Sequence, residues 1–195
     1  QHLWHERTDT LQGQSPRFLA AGYLILHHPR FHGLELRETN PEISMFNIRV
    51  YGILINEANQ VLVSDEFIRG AYITKFPGGG LESGEGTRDC LAREFMEEMN
   101  LNVRVGDHIY TTDFYQPSAF NPAHQIISIY YYAHPLEPIT APLRSAPFDF
   151  DENQLAVYRS SGETETFRFV DWDLFSEESV TLPIDKIVAK LLKER

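Results

Sequence analysis

Between Gly79 and Glu98 a glycine-rich turn runs into a helix that crowds carboxylates onto one side, and this pairing constrains the fold more than any other stretch. The turn reads Gly79-Gly80-Leu81-Glu82-Ser83-Gly84-Glu85, and Arg93-Glu94-Phe95-Met96-Glu97-Glu98 follows on the helix. At about 100° per residue, Glu98 lies about 40° to one side of Glu94 and Glu97 about 60° to the other. Leu91, Ala92, Phe95, Met96 and Met99 fill the neighbouring arc. One face therefore meets a core while the face beside it carries negative charge. Thr87 is the expected N-cap, and Asp89 in the first turn suits the helix dipole. Asp89 and Arg93 stand at i,i+4 with the acid first, so an ion pair between them is expected. Asn100 tolerates the left-handed conformation that closes a helix, which sets the helix at Thr87–Met99.

Glu94 and Glu98 repel each other by about 0.2–0.5 kcal/mol on a bare helix, and Glu97 adds to this. A hard divalent cation relieves the repulsion, because Mg²⁺ takes oxygen ligands and prefers one or two carboxylates plus substrate phosphates. Glycine beside the acids lets a ligand approach the backbone. The plain alternative is a solvated acidic face; the turn and Glu85 in front of the helix favour the metal.

Gly79, five residues, Glu85, seven residues, then Arg93-Glu94-Phe95-x-Glu97-Glu98-x-Asn100-Leu101 resembles the Nudix box, G-x5-E-x7-R-E-U-x-E-E-x-G-U. Every charged position matches, whereas Phe95 is aromatic and Asn100 replaces a glycine. The resemblance implies a Nudix-type α/β/α sandwich with a mixed β-sheet. It also implies Mg²⁺-dependent (or Mn²⁺-dependent) hydrolysis of a diphosphate linkage in a nucleoside diphosphate joined to a group X. ADP-ribose, a dinucleotide or a nucleoside triphosphate would each qualify. By the same likeness Glu94, Glu97 and Glu98 bind metal, Glu85 assists, and Arg93 orients a carboxylate.

Three other readings bear on the catalytic centre. Glu98 is a candidate base, as are Glu163 and Glu165, which read as a loop before a strand; Asp149, Asp151 and Glu152 are weaker ones. Gly79 and Gly80 would line the phosphates, with Arg49, Arg69 and Lys75 as cationic partners. Tyr115 and Phe120 are candidate stacking residues. Pro117 resembles a marker of ADP-ribose pyrophosphatases, while Phe76-Pro77-Gly78-Gly79-Gly80 is similar to the MutT-type turn, so no single substrate is selected. Competing readings are a non-catalytic nucleotide sensor on the same fold and an isomerase, which would ask for a catalytic cysteine; the sole cysteine is Cys90.

The formal net charge of −11 disfavours nucleic acid as a partner, and the expected one is a small phosphorylated nucleotide. The apolar run Phe18–Leu26 is too short to span a bilayer and lacks a cleavage site after it, so no membrane role is expected. A single cysteine demands no oxidising compartment, so a cytoplasmic location is expected. Similar proteins commonly dimerise, which leaves a homodimer open. Residues 1–44 hold five of the eight histidines and no methionine, and read as an N-terminal extension before a catalytic domain at 45–195. Strands are expected at 47–56, 61–64 (a hairpin with the first), 73–76, 103–105, 109–115, 125–133 and 166–170. Residues 135–153 read as loop. A C-terminal helix from Leu182-Pro183 to Arg195 carries Ile184, Ile187, Val188, Leu191 and Leu192 on one face.

Overall fold

The computed structural model describes residues 45–195, so the expectations for 1–44 lie outside the described residues. The strands are β1 (Met45–Ile53), β2 (Gln60–Ile68), β3 (Ala71–Lys75), β4 (Gly78–Gly80), β5 (Val103–Thr111), β6 (His124–Pro135), β7 (Leu143–Arg144) and β8 (Glu163–Asp171). The helices are α1 (Thr87–Met99), α2 (Glu152–Ser161) and α3 (Pro183–Lys193).

Two four-stranded mixed sheets form, in the orders β4-β1-β6-β5 and β3-β2-β8-β7. β1 runs parallel to β6, and β2 runs antiparallel to both β3 and β8. The expected β1–β2 hairpin is thus confined to its root, where Ile55 bridges Val61 and Leu62 N–H donates to Leu54 O at 2.9 Å. Beyond that point the two strands diverge into different sheets. The expected strands at 103–105 and 109–115 are one strand, β5, which ends at Thr111 short of the expected 115 and has register shifts along its pairing to β6.

Alternation along the strands supplies both sides of the sandwich, since successive side chains point to opposite faces. Val50, Leu54 and Leu62 join Leu91, Phe95 and Met99 of α1 in one core. Tyr51, Ile53, Val61 and Val63 join Phe76, Tyr130 and the α3 residues Ile184, Val188 and Leu192 in the other. The strands are therefore covered by α1 on one side and α3 on the other, the α/β/α arrangement expected.

Both helix ends of α1 follow from local chemistry. Its N-cap is Gly86 rather than Thr87: Asp89 Oδ2 accepts from Gly86 N–H at 3.3 Å, and the Thr87 hydroxyl instead meets Tyr131 Oη at 2.9 Å. Asn100 does close the helix in the left-handed region, at φ 49° and ψ 47°. α2 stands where no helix was expected. Asp151 caps it, accepting from Gln154 N–H at 2.9 Å, and Gly162 ends it at φ 82°. α3 stops at Lys193, and its buried stripe is Ile184, Asp185, Val188, Ala189 and Leu192. Ile187, expected on that stripe, is 37% exposed.

Candidate active site

The glycine turn is held against β1, with Gly79 opposite Val50 and Gly80 opposite Arg49. Gly78 has φ 130°, and a Cβ there would collide with Val50 O. A Cβ on Gly79 would run into the Glu94 carboxylate. Gly79 is thus the space into which Glu94 tucks beside the turn.

Arg93 ties turn and helix together. Its Nε and Nη2 donate to the two oxygens of Glu85 at 3.1 and 2.7 Å, and Nη2 also donates to Gly80 O at 3.0 Å. Nη1 donates to Glu94 Oε1 at 3.0 Å and Glu97 Oε2 at 2.9 Å. The expected Asp89–Arg93 pair does not form, because the guanidinium turns to three other acids while Asp89 caps the helix. The Arg93 hydrogen bonds, followed by the Glu82 N–H, pull the Glu85 carboxyl down to about 2. Glu85 is thus fixed as a charged strut.

Glu98 faces the opposite flank. Its Oε1 lies 3.8 Å from Lys75 Nζ, and its Oε2 is buried without a hydrogen-bond partner. Burial pushes its carboxyl up to about 8 against the pull of Lys75, with Glu165 and Glu94 adding repulsion. Lys75 is 2% exposed and donates to Gly78 O at 2.8 Å while pairing with Glu66 at 3.3 Å. Burial opposes its charge, but Glu98, Glu66 and Glu165 outweigh that and raise its pKa. Glu165 accepts from Ser64 Oγ at 3.0 Å, and burial raises its pKa despite Lys75. Both Glu163 and Glu165 sit within β8, paired with Ile68 and Glu66, and not in a loop before it.

Beyond Lys75 opens a cavity of about 270 Å³. Arg49, Tyr51, Lys75, Phe120, Tyr130 and Asp185 are among its walls, and Glu163 stands at it too. Arg49 Nε donates to Tyr51 Oη at 2.8 Å. Arg69 is not part of the wall; it sits in the β2–β3 turn at φ 48° with its guanidinium 5.7 Å from the Phe120 ring. Tyr115 is exposed and also outside the wall. The weaker acids serve α2 instead: Asp151 caps it and accepts from Arg144 at 2.6 Å, and Glu152 pairs with Arg159 at 3.9 Å. Asp149 is exposed away from the cavity wall.

Tyr51, Glu66, Tyr130 and Asp185 were not singled out from the sequence. Asp185 had a readable signal. At about 100° per residue it falls between Ile184 and Ala189, in the middle of the stripe that α3 buries. An acid there is unexpected unless it has a task.

Among the described residues no three Asp, Glu, His or Cys side chains converge into a ready-made metal cage. The acids are divided between Arg93 and Lys75. The donor set nonetheless fits a hard cation, since every acid on the ridge offers carboxylate oxygen and Glu98 Oε2 lacks any protein partner. Cys90 is buried, with its thiol 3.4 Å from Gly80 O and pushed up to about 12 by burial and by Glu85. That is a poor nucleophile, which disfavours the isomerase reading.

These features define a class: an α/β/α chain in which one arginine pins a glycine turn to a carboxylate-bearing helix. The NUDIX domain model matches residues 45–191, so the chain belongs to the NUDIX family. The enzyme class that the box implied, a Nudix pyrophosphohydrolase, stands with that membership. Among solved structures, a NUDIX hydrolase from Nitrosomonas europaea superposes with a TM-score of 0.55 at 14% identity, covering 76% of this chain and 88% of that one. A MutT structure from work on Aliivibrio salmonicida and Vibrio cholerae reaches 0.50 at 15% identity, covering 77% and 99%. At such identities the likeness shows the fold. No curated protein matches the chain. No helix among the described residues is long and apolar enough to cross a membrane.

Proposed function

We propose that residues 45–195 hydrolyse a diphosphate linkage in a nucleoside diphosphate joined to a group X, with the acid ridge of α1 as the reaction centre. One observation carries this reading. The ridge is divided between an outer cation, Arg93, that locks Glu85, Glu94 and Glu97, and an inner one, Lys75, that leaves Glu98 Oε2 without a partner. Glu94, Glu97 and Glu98 would hold the divalent cation. When bound, Mg²⁺ or Mn²⁺ supplies charge neutralisation and a more acidic water.

The remaining work falls to the chain itself. Arg93 is a positioning residue, because four of its hydrogen bonds fix the directions of three carboxylates before substrate arrives. Glu98 is the candidate acceptor for the proton of the attacking water, since its Oε2 has no protein partner. Glu165 is the alternative acceptor, and Glu163 a more remote one. Glu85, held charged near 2, is too weak a base. Arg49 lies beside Gly80 in the cavity wall, where the anionic oxygens of a substrate would meet it, while Lys75 is taken up by Glu66, Glu98 and Gly78 O. The nucleoside occupies the cavity, whose wall includes Phe120 and Tyr51.

The test is a panel of ADP-ribose, NADH, dinucleoside polyphosphates and nucleoside triphosphates, with and without Mg²⁺. Metal-dependent release of a mononucleotide is expected. Glu98→Gln should lower kcat at least about 100-fold with the circular dichroism unchanged. Binding of these nucleotides without turnover would replace this reading with the sensor.

A further inference from the structure

Lys75 is a charge in an unusual place. Alternation along β3 turns Ile73 and Lys75 toward the cavity and Thr74 the other way, where its hydroxyl donates to Asp65 Oδ1 at 2.6 Å. A lysine inside a fold is ordinarily pushed toward its neutral form. Here burial opposes the charge, yet Glu98, Glu66 and Glu165 outweigh it. The Nζ donates to Gly78 O at 2.8 Å and lies 3.3 Å from Glu66 Oε1 and 3.8 Å from Glu98 Oε1. The ring of Tyr51 stands 5.7 Å away. A backbone carbonyl and carboxylate oxygens from separate elements are the donors that a hard cation collects. The ammonium occupies the point where they converge.

We propose that the Lys75 ammonium is a built-in cation of the reaction centre: it fills the inner position between Gly78 O, Glu66 and Glu98, so that the chain takes up one divalent ion and not a pair. This rests on the proposed metal-binding role of the ridge. Phosphoryl-transfer centres with two metal ions hold them about 3.5–4 Å apart, so both must share ligands on one small patch. Glu98 is the carboxylate placed to be shared. Its Oε1 pairs with Lys75, which leaves Oε2 for the ion that Glu94 and Glu97 would also hold. Those two acids are tied outward by Arg93 and do not reach the inner position. Glu165 faces Glu66 across the β2–β8 pairing and accepts from Ser64 Oγ at 3.0 Å, which keeps it on the inner side. A cation tethered to β3 cannot be chelated away, so these inner acids stay neutralised when metal is scarce. Lys75 is thus a positioning residue that holds Glu98 by one oxygen before any metal arrives.

The experiment counts Mn²⁺ bound to the full chain by electron paramagnetic resonance, in which the ion loses its free-solution signal on binding. No substrate is present, so the count is separate from turnover. Wild type is expected to bind one ion. Lys75→Met, which keeps the apolar stem and drops the charge, should bind two. In Lys75→Met combined with Glu66→Gln the added ion should weaken at least about 10-fold, because Glu66 lies at the inner position and off the ridge. Two ions on wild type, equal counts on wild type and Lys75→Met, or an added ion indifferent to Glu66→Gln overturn the proposal and leave the hydrolase reading standing. No Mn²⁺ on wild type removes the metal role of the ridge and this proposal with it. If Lys75→Met does not fold, Lys75→Gln repeats the count; should both fail, the wild-type count decides alone.

Discussion

Arg93 shows how a single side chain turns a repulsive ridge into an ordered one. Its planar fork reaches Glu85 with two nitrogens and Glu94 and Glu97 with the third, geometry that an ammonium cannot reproduce. Arg93→Lys is therefore expected to lower kcat/KM about 10–100-fold, as loss of an orienting partner does, with little change in thermal midpoint. Steady-state kinetics beside a melting curve would check both halves. Asp185 gives a stability signature of its own. Burial, foremost, holds its carboxyl up at about 7, against 3.8 for the free group, although Tyr130 and Lys75 oppose the shift. The folded chain thus keeps a proton between those values that the unfolded chain has lost. Stability falls as pH rises through that window, and the penalty is complete above it. Urea denaturation from pH 4 to pH 8 should show the wild type losing up to a few kcal/mol relative to Asp185→Asn. Parallel pH profiles for the two proteins would contradict the burial of that charge.

At the scale of elements, α1 and the β4 turn work as one unit. A methyl group at Gly79 would push the Glu94 carboxylate out of its place, so Gly79→Ala should lose most turnover while keeping the helix signal. Behind the ridge, Phe95 is fully buried against β1 and supports the same helix. Phe95→Ala should cost about 3–5 kcal/mol in chemical denaturation, a value set by the cavity left behind. α1 was legible in the sequence because its signals are local: the apolar stripe, the acid ridge and Asn100 at its end. α2 was equally local in principle, with Asp151 and Gln154 as a capping box and Gly162 as a stop. It escaped notice because none of its residues is fully buried, so no apolar stripe marks it. The β1–β2 hairpin failed for the opposite reason. Adjacent strands with a turn between them suit a hairpin, but β1 pairs along its length with β6 and β2 with β8, partners remote in sequence.

For the molecule as a whole, the family model begins at Met45, and both described cores are built from residues at or beyond Val50. A chain starting at Met45 is therefore expected to fold and to retain turnover; failure of either would assign residues 1–44 a part in the catalytic fold. Lys75 illustrates what such a core can do. It was named as a partner for phosphate, yet the two sheets close around it and set it among Glu66, Glu98 and Glu165. By itself the sequence determined the acid ridge, the glycine turn and the alternation that gives each strand two buried faces, because these are properties of neighbours along a helix or strand. Only the tertiary structure decided that Arg93 would leave Asp89 for Glu85, that Lys75 would sit beneath Glu98, and that Asp185 would wall a cavity with an oxygen to spare. Those arrangements depend on elements distant in the chain meeting at one point, where burial strengthens each charge and makes every unmatched acceptor costly.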